Sequence, residues 1–68
     1  MYDKYKRSMS SREIIGRLLR EGWQLVRSKG SHQQFKIPNR RGLVTVPHPK
    51  KDLPQGPVKA IFRQAGWR

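Results

Sequence analysis

The strongest constraint on this chain is where it is interrupted. Turn-forming residues at Gly22, at Gly30-Ser31 and through Pro38-Asn39-Arg40-Arg41-Gly42, then four prolines from Pro47 to Pro57, cut its 68 residues into short segments. None of them is long enough to span a bilayer. Each segment must take the structure that its apolar period allows. Ser10-Ser11-Arg12-Glu13 spells a capping box, in which the Ser10 hydroxyl and the Glu13 carboxylate each accept the other's backbone N–H, with Met9 and Ile14 as a hydrophobic staple. Ile14, Ile15, Leu18 and Leu19 follow at helical spacing, so a helix is expected to run from here to a left-handed stop at Gly22.

Trp23 to Lys29 reads as a strand, Gly30-Ser31 as a turn, and His32 to Ile37 as the returning strand. Alternation along the second strand groups Gln33, Phe35 and Ile37 on one face and His32, Gln34 and Lys36 on the other. With Phe35 and Ile37 in the core, His32 faces solvent. Leu43 to Val46, rich in β-branched residues, is the third strand. Residues 47–57 are a loop, Pro57 is expected at the first helical position, and Val58, Ile61, Phe62 and Ala65 form a stripe ending at Gly66, with Trp67 folded back. The predicted class is α+β, order α-β-β-β-α: a three-stranded antiparallel sheet with both helices on one face. Residues 1–8 have no period and are expected to be a flexible basic extension of a single domain spanning 9–68.

Sixteen Lys and Arg against four Asp and Glu give a net charge of +12, which points to a polyanionic partner. The charges are interleaved with Trp, Phe, Leu, Ile and Val, as in a folded basic domain, and nucleic acid is the leading partner. A membrane surface fits less well, because no long helix pairs a basic face with a broad apolar one. The chain has no Cys, which excludes disulfides and thiolate metal sites and suits a reducing cytosol, so a cytoplasmic protein is expected.

Cutting RNA without a metal needs a base for the 2′-OH proton, an acid for the leaving 5′-oxygen and cations for the charge on the phosphorane. Histidine can supply the base or the acid, since its ordinary pKa of about 6.5 lies near working pH. His32 and His48 stand amid Arg27, Lys29, Lys36, Arg40 and Arg41, so the ingredients are present in kind. The two histidines are sixteen positions apart, and spacing alone does not make them a site. His32 reads equally as an incidental surface histidine, His48 as a loop residue with an accessory role at most, and Lys50 and Lys51 as solvated loop charges or phosphate contacts. Other chemistries fit poorly. The four acids are scattered, two histidines without Cys cannot complete a zinc site, and no GxxxxGK[ST] loop occurs, so no metal or cofactor is expected. Ser31 as a nucleophile activated by His32 fails because adjacent strand residues point to opposite faces.

Gly22-Trp23, Gly30-Ser31-His32 with Phe35-Lys36 after it, Thr45-Val46-Pro47, and Val58-Lys59-Ala60-Ile61-Phe62-Arg63-Gln64-Ala65-Gly66 stand in an order that resembles the HicA toxins of HicA–HicB toxin–antitoxin pairs. The resemblance runs from about Met9 to Gly66. It implies a fold like the double-stranded-RNA-binding domain (dsRBD). It also implies a metal-independent endoribonuclease, an mRNA interferase that blocks translation, neutralised by a HicB antitoxin; as a separate expectation, the basic open sheet face suits an acidic HicB-like partner that masks His32. The family's catalytic histidine follows a Gly-Ser pair, which maps onto His32, with Gly30 and Ser31 as the turn that positions it. Members often carry a second histidine next, where this chain has Gln33. Candidate RNA-phosphate contacts are Arg27, Lys29, Lys36, Lys50 and Lys51. The alternative is a non-catalytic basic RNA-binding module. Against it, a dsRBD relies on a lysine cluster at the start of its last helix, where only Lys59 is expected in the first turn.

Overall fold

Helix α1 (Ser11–Arg20) begins where the capping box puts it. Ser10 is the cap, its hydroxyl accepts the Glu13 N–H at 3.1 Å, and the Glu13 carboxylate accepts the Ser10 N–H at 2.9 Å. The computed structural model describes residues 9–67, so the expectation of a flexible extension over residues 1–8 lies outside the described residues. Strands β1 (Gln24–Lys29), β2 (His32–Lys36) and β3 (Val44–Pro47) form one antiparallel sheet in the order β1-β2-β3, and helix α2 (Gln55–Ala65) closes the fold.

Both helices bury their stripes on one sheet face. Ile14 and Leu18 of α1, Ile61 and Ala65 of α2, Phe35 of β2 and Val44 and Val46 of β3 make the core, with Trp23 and Leu53 at its margins. Phe35 stands directly opposite Val44, and Gln33 opposite Val46, so the alternation that sent Phe35 inward sends His32 outward. The core is centred on β2 and β3. All of β1 is exposed, including Leu25, which shares the face of its partner Phe35 but lies beyond the helices.

Sequence expectations need correction at several places, including the strand ends, since β1 starts one residue after Trp23 and β2 stops one before Ile37. Leu19 is not part of the buried stripe; it is 53% exposed, because α1 presents only the Ile14–Leu18 edge to the sheet. Strand β3 starts at Val44 and takes in Pro47, which an edge strand tolerates because one side of its backbone makes no ladder bonds. Helix α2 starts at Gln55, so Pro57 is its third residue rather than its first; a missing N–H costs nothing anywhere in that first turn. Lys59 therefore lies past the first turn.

Strand β1 also contains a bulge. Leu25 pairs with Phe35 and Arg27 with Gln34, leaving Val26 as the extra residue. In a regular strand Arg27 and Lys29 would share the face of Leu25. The extra residue turns both onto the opposite face, that of His32.

Candidate functional site

The two-residue turn Gly30-Ser31 joins β1 to β2 and sets Lys29 and His32 directly opposite each other. Gly30 has φ 57° at the first central position of the hairpin, the place where tight hairpin turns favour glycine. A Cβ there would touch nothing within 4 Å, so glycine is needed for its backbone conformation rather than for space. Directly opposed Cα atoms in such a ladder are about 4.5–5.5 Å apart, close enough for an ammonium and an imidazole to serve one phosphate.

The sheet face away from the helices therefore carries Arg27 and Lys29 from β1, His32, Gln34 and Lys36 from β2, and Thr45 from β3. Arg27, Lys29, Gly30, Ser31, His32, Gln34 and Thr45 line one open concavity. Gln34 Nε2 donates to Thr45 Oγ1 at 3.4 Å, which joins β2 and β3 across its floor. None of the three strands contains an Asp or Glu, so the positive field over this face has no local counter-charge. Lys36 shares the face but pairs with Gln24 at the far end of β2, four residues or about 13 Å along the strand from His32.

His48, Lys50 and Lys51 lie elsewhere. The His48 N–H donates to the Ser31 carbonyl at 2.7 Å, extending the β2–β3 ladder by one rung past the His32–Pro47 pair. One rung further on, alternation sends the His48 ring to the helix side, where its Nδ1 meets Ser11 Oγ at 2.7 Å. Ser11 is 1% exposed and its hydrogen bonds tie α1 to the loop after β3: its N–H donates to the Lys50 carbonyl at 2.9 Å, and its Oγ accepts the Lys50 N–H at 2.9 Å. His48, Lys50 and Lys51, with Arg12, line a second concavity beside the start of α1. The fold thus gathers Arg27, Lys29 and His32 in one place and His48, Lys50 and Lys51 in another.

Sequence reasoning had no access to Ser11 as a tether, because its partners are 37 and 39 residues away. It also passed over the bulge, although the consecutive apolar pair Leu25-Val26 before the alternation Arg27-Ser28-Lys29 is a signal of one. Among the described residues no group of three or more His, Cys, Asp or Glu side chains is placed to hold a metal ion, and no helix is long and apolar enough to cross a membrane.

Residues 11–67 match the family described as HicA toxin of bacterial toxin-antitoxin. A search of the curated proteins finds no match.

Proposed function

The chain belongs to the HicA toxin family of bacterial toxin–antitoxin systems, and on that premise we propose that it is an mRNA interferase, a metal-independent endoribonuclease with His32 as its catalytic residue. Membership makes it a toxin with an antitoxin partner. The observation that carries the enzymatic reading is the direct cross-strand pairing of His32 with Lys29 on the sheet face that the helices leave open. His32 carries one of the two proton transfers of transesterification, either taking the 2′-OH proton as the 2′-oxygen attacks phosphorus or returning a proton to the departing 5′-oxygen. Lys29 and Arg27 hold the scissile phosphate and offset the charge that builds on the phosphorane. Gly30 and Ser31 set the height of the histidine above the sheet. Lys36 meets a phosphate further along the strand. Cutting mRNA in the cytoplasm stops translation.

The antitoxin, HicB-like and acidic, covers the open face and with it His32, since the same uncompensated positive field that draws RNA also draws an acidic protein. Carbethoxylation of His32 by diethyl pyrocarbonate is then suppressed in the complex; equal reactivity in free and bound toxin excludes this mode of inhibition.

Expression of wild type and His32→Ala, with cleavage of RNA by the purified proteins measured in the presence of EDTA, tests the central reading. Wild type arrests growth and cuts RNA; His32→Ala does neither yet still binds RNA. Equal cleavage by both forms removes His32 from the chemistry. Binding without cleavage by either form leaves a non-catalytic RNA-binding module.

A further inference from the structure

The second concavity is chemically specified by hydrogen-bond accounting at Ser11. Its hydroxyl has one hydrogen and two possible acceptors, His48 Nδ1 at 2.7 Å and the Lys50 carbonyl at 3.2 Å. All three Oγ contacts are made together when the hydroxyl donates to the Lys50 carbonyl and accepts the Lys50 N–H and the His48 Nδ1–H; in the other arrangement the hydroxyl donates to Nδ1 and leaves the carbonyl to the Ser11 N–H alone. An imidazole that accepts at Nδ1 carries its own hydrogen on Nε2. A doubly protonated ring keeps Nδ1–H on Oγ and the hydroxyl hydrogen on the Lys50 carbonyl, and carries a hydrogen on Nε2 as well. Nε2 is therefore an acceptor in the first arrangement and a donor in the second and in the doubly protonated ring, and an anion beside it selects the two in which it donates. A half-buried ring held by a buried serine thus lines a concavity together with Arg12, Lys50 and Lys51. The nearby Glu13 carboxylate is turned onto the Ser10 N–H and does not line it.

We propose that Lys50, Lys51 and Arg12, with His48 donating from Nε2 once an anion is bound, form a second RNA-phosphate site, on the opposite side of the β2–β3 strand end from His32. The inference rests on RNA being the substrate but not on its being cut. The two sites are linked through one backbone bond, from the His48 N–H to the carbonyl of Ser31, the residue before His32. A strand held by both passes over the end of the sheet, and His48 contributes to affinity rather than to the chemical step. This makes loop 48–53 an anchoring element for the RNA on one side of the scissile bond.

The test uses a 2′-O-methyl oligoribonucleotide of about twelve nucleotides, which has no 2′-OH to cleave and is long enough to reach both sites. Affinity is measured at several salt concentrations for wild type, Lys50→Ala/Lys51→Ala, His48→Asn and His48→Gln. Asn keeps an acceptor where Nδ1 meets Ser11 but has no donor at the Nε2 position, whereas Gln restores one there. The lysine pair is expected to weaken binding about tenfold and to flatten log K against log salt by about 0.7 for each phosphate no longer neutralised. His48→Asn is expected to lose about three- to tenfold in affinity with an unchanged melting temperature, and His48→Gln to recover most of it. On cleavable RNA, His48→Asn raises KM and leaves kcat unchanged. Wild-type affinity in the lysine variant or in His48→Asn overturns the proposal, as does a fall in kcat at constant KM. Loss of antitoxin binding with RNA affinity intact also overturns it and reassigns the patch to the antitoxin. Failure of wild type to cut RNA defeats the catalytic reading of His32, while the affinity differences still decide this site.

Discussion

His32 owes its position to the two residues before it. A turn of only two residues leaves no slack, so Lys29 and His32 must face each other, and the turn closes because Gly30 accepts φ 57°. Any L-residue with a Cβ is strained there by about 1–2 kcal/mol although the space is empty. Gly30→Val is therefore expected to lower the melting temperature and, by loosening the turn, to cut kcat at least about tenfold more than its stability loss explains. Activity at the wild-type level in a folded Gly30→Val protein would separate the turn from the site. Alternation made His32 legible but says nothing of Ser11, whose sequence context, a capping box, predicts exposure. Ser11 is buried because three atoms of a loop nearly forty residues away converge on it.

At the scale of elements, the bulge in β1 and the clasp between the helix ends carry most of what periodicity missed. Removing Val26 makes β1 regular and leaves Arg27 and Lys29 on the His32 face. Removing Ser28 allows β1 to pair without its bulge, which keeps Lys29 in place but turns Arg27 to the helix side. RNA affinity is expected to stay within about twofold of wild type without Val26 and to fall about tenfold without Ser28. Equal losses in both deletions would show that the facing of Arg27 does not matter.

The clasp forms at the C-terminal end of α1. Glu21 accepts the Trp67 indole N–H at 2.7 Å and the Arg17 Nε–H at 3.0 Å, Arg17 stacks 3.9 Å above the Trp67 ring, and Trp67 meets Phe62 edge-on at 5.2 Å. The backbone N–H of Trp67 also donates to the Phe62 carbonyl, a cap made possible by Gly66 at φ 77°. The indole hydrogen bond, then the Arg17 contact, holds the Glu21 carboxyl below its ordinary value. A carboxylate whose folded pKa is depressed adds stability above its unfolded pKa and loses it as pH falls through the folded one. Glu21→Gln is thus expected to lower the melting temperature slightly at pH 7, and the gap from wild type is expected to narrow as pH falls below the ordinary carboxylate range. A gap that does not change with pH would assign the effect to packing.

Across the whole molecule, charge is distributed by function. Of the four acids, Glu13 serves the cap of α1, Glu21 the clasp, Asp52 lies in the loop before α2, and Asp3 is outside the described residues. The sheet carries only basic and neutral side chains. With +12 on the chain, RNA affinity is expected to drop at least about tenfold between 50 and 200 mM salt. An affinity flat in salt would mean that phosphate contacts do not hold the RNA. The same charge disfavours self-association of the bare toxin and favours an acidic antitoxin.

Sequence alone determined the order of elements, the start of α1, the turn at Gly30-Ser31 and the outward face of His32, because capping, turn formation and strand alternation act over a few neighbouring residues. The end of α1 at Gly22 and the cap at Gly66 were legible for the same reason. Tertiary structure decided that Leu19 is exposed and that Arg27 joins His32. It also decided that His48 and Lys50 gather at Ser11 and, with Lys51, line a concavity apart from His32. Each of these depends on which elements meet: how far the helices reach over the sheet, how β1 registers on β2, and where the proline-bearing loop crosses the start of α1. Interactions between residues tens of positions apart leave no local period in the chain.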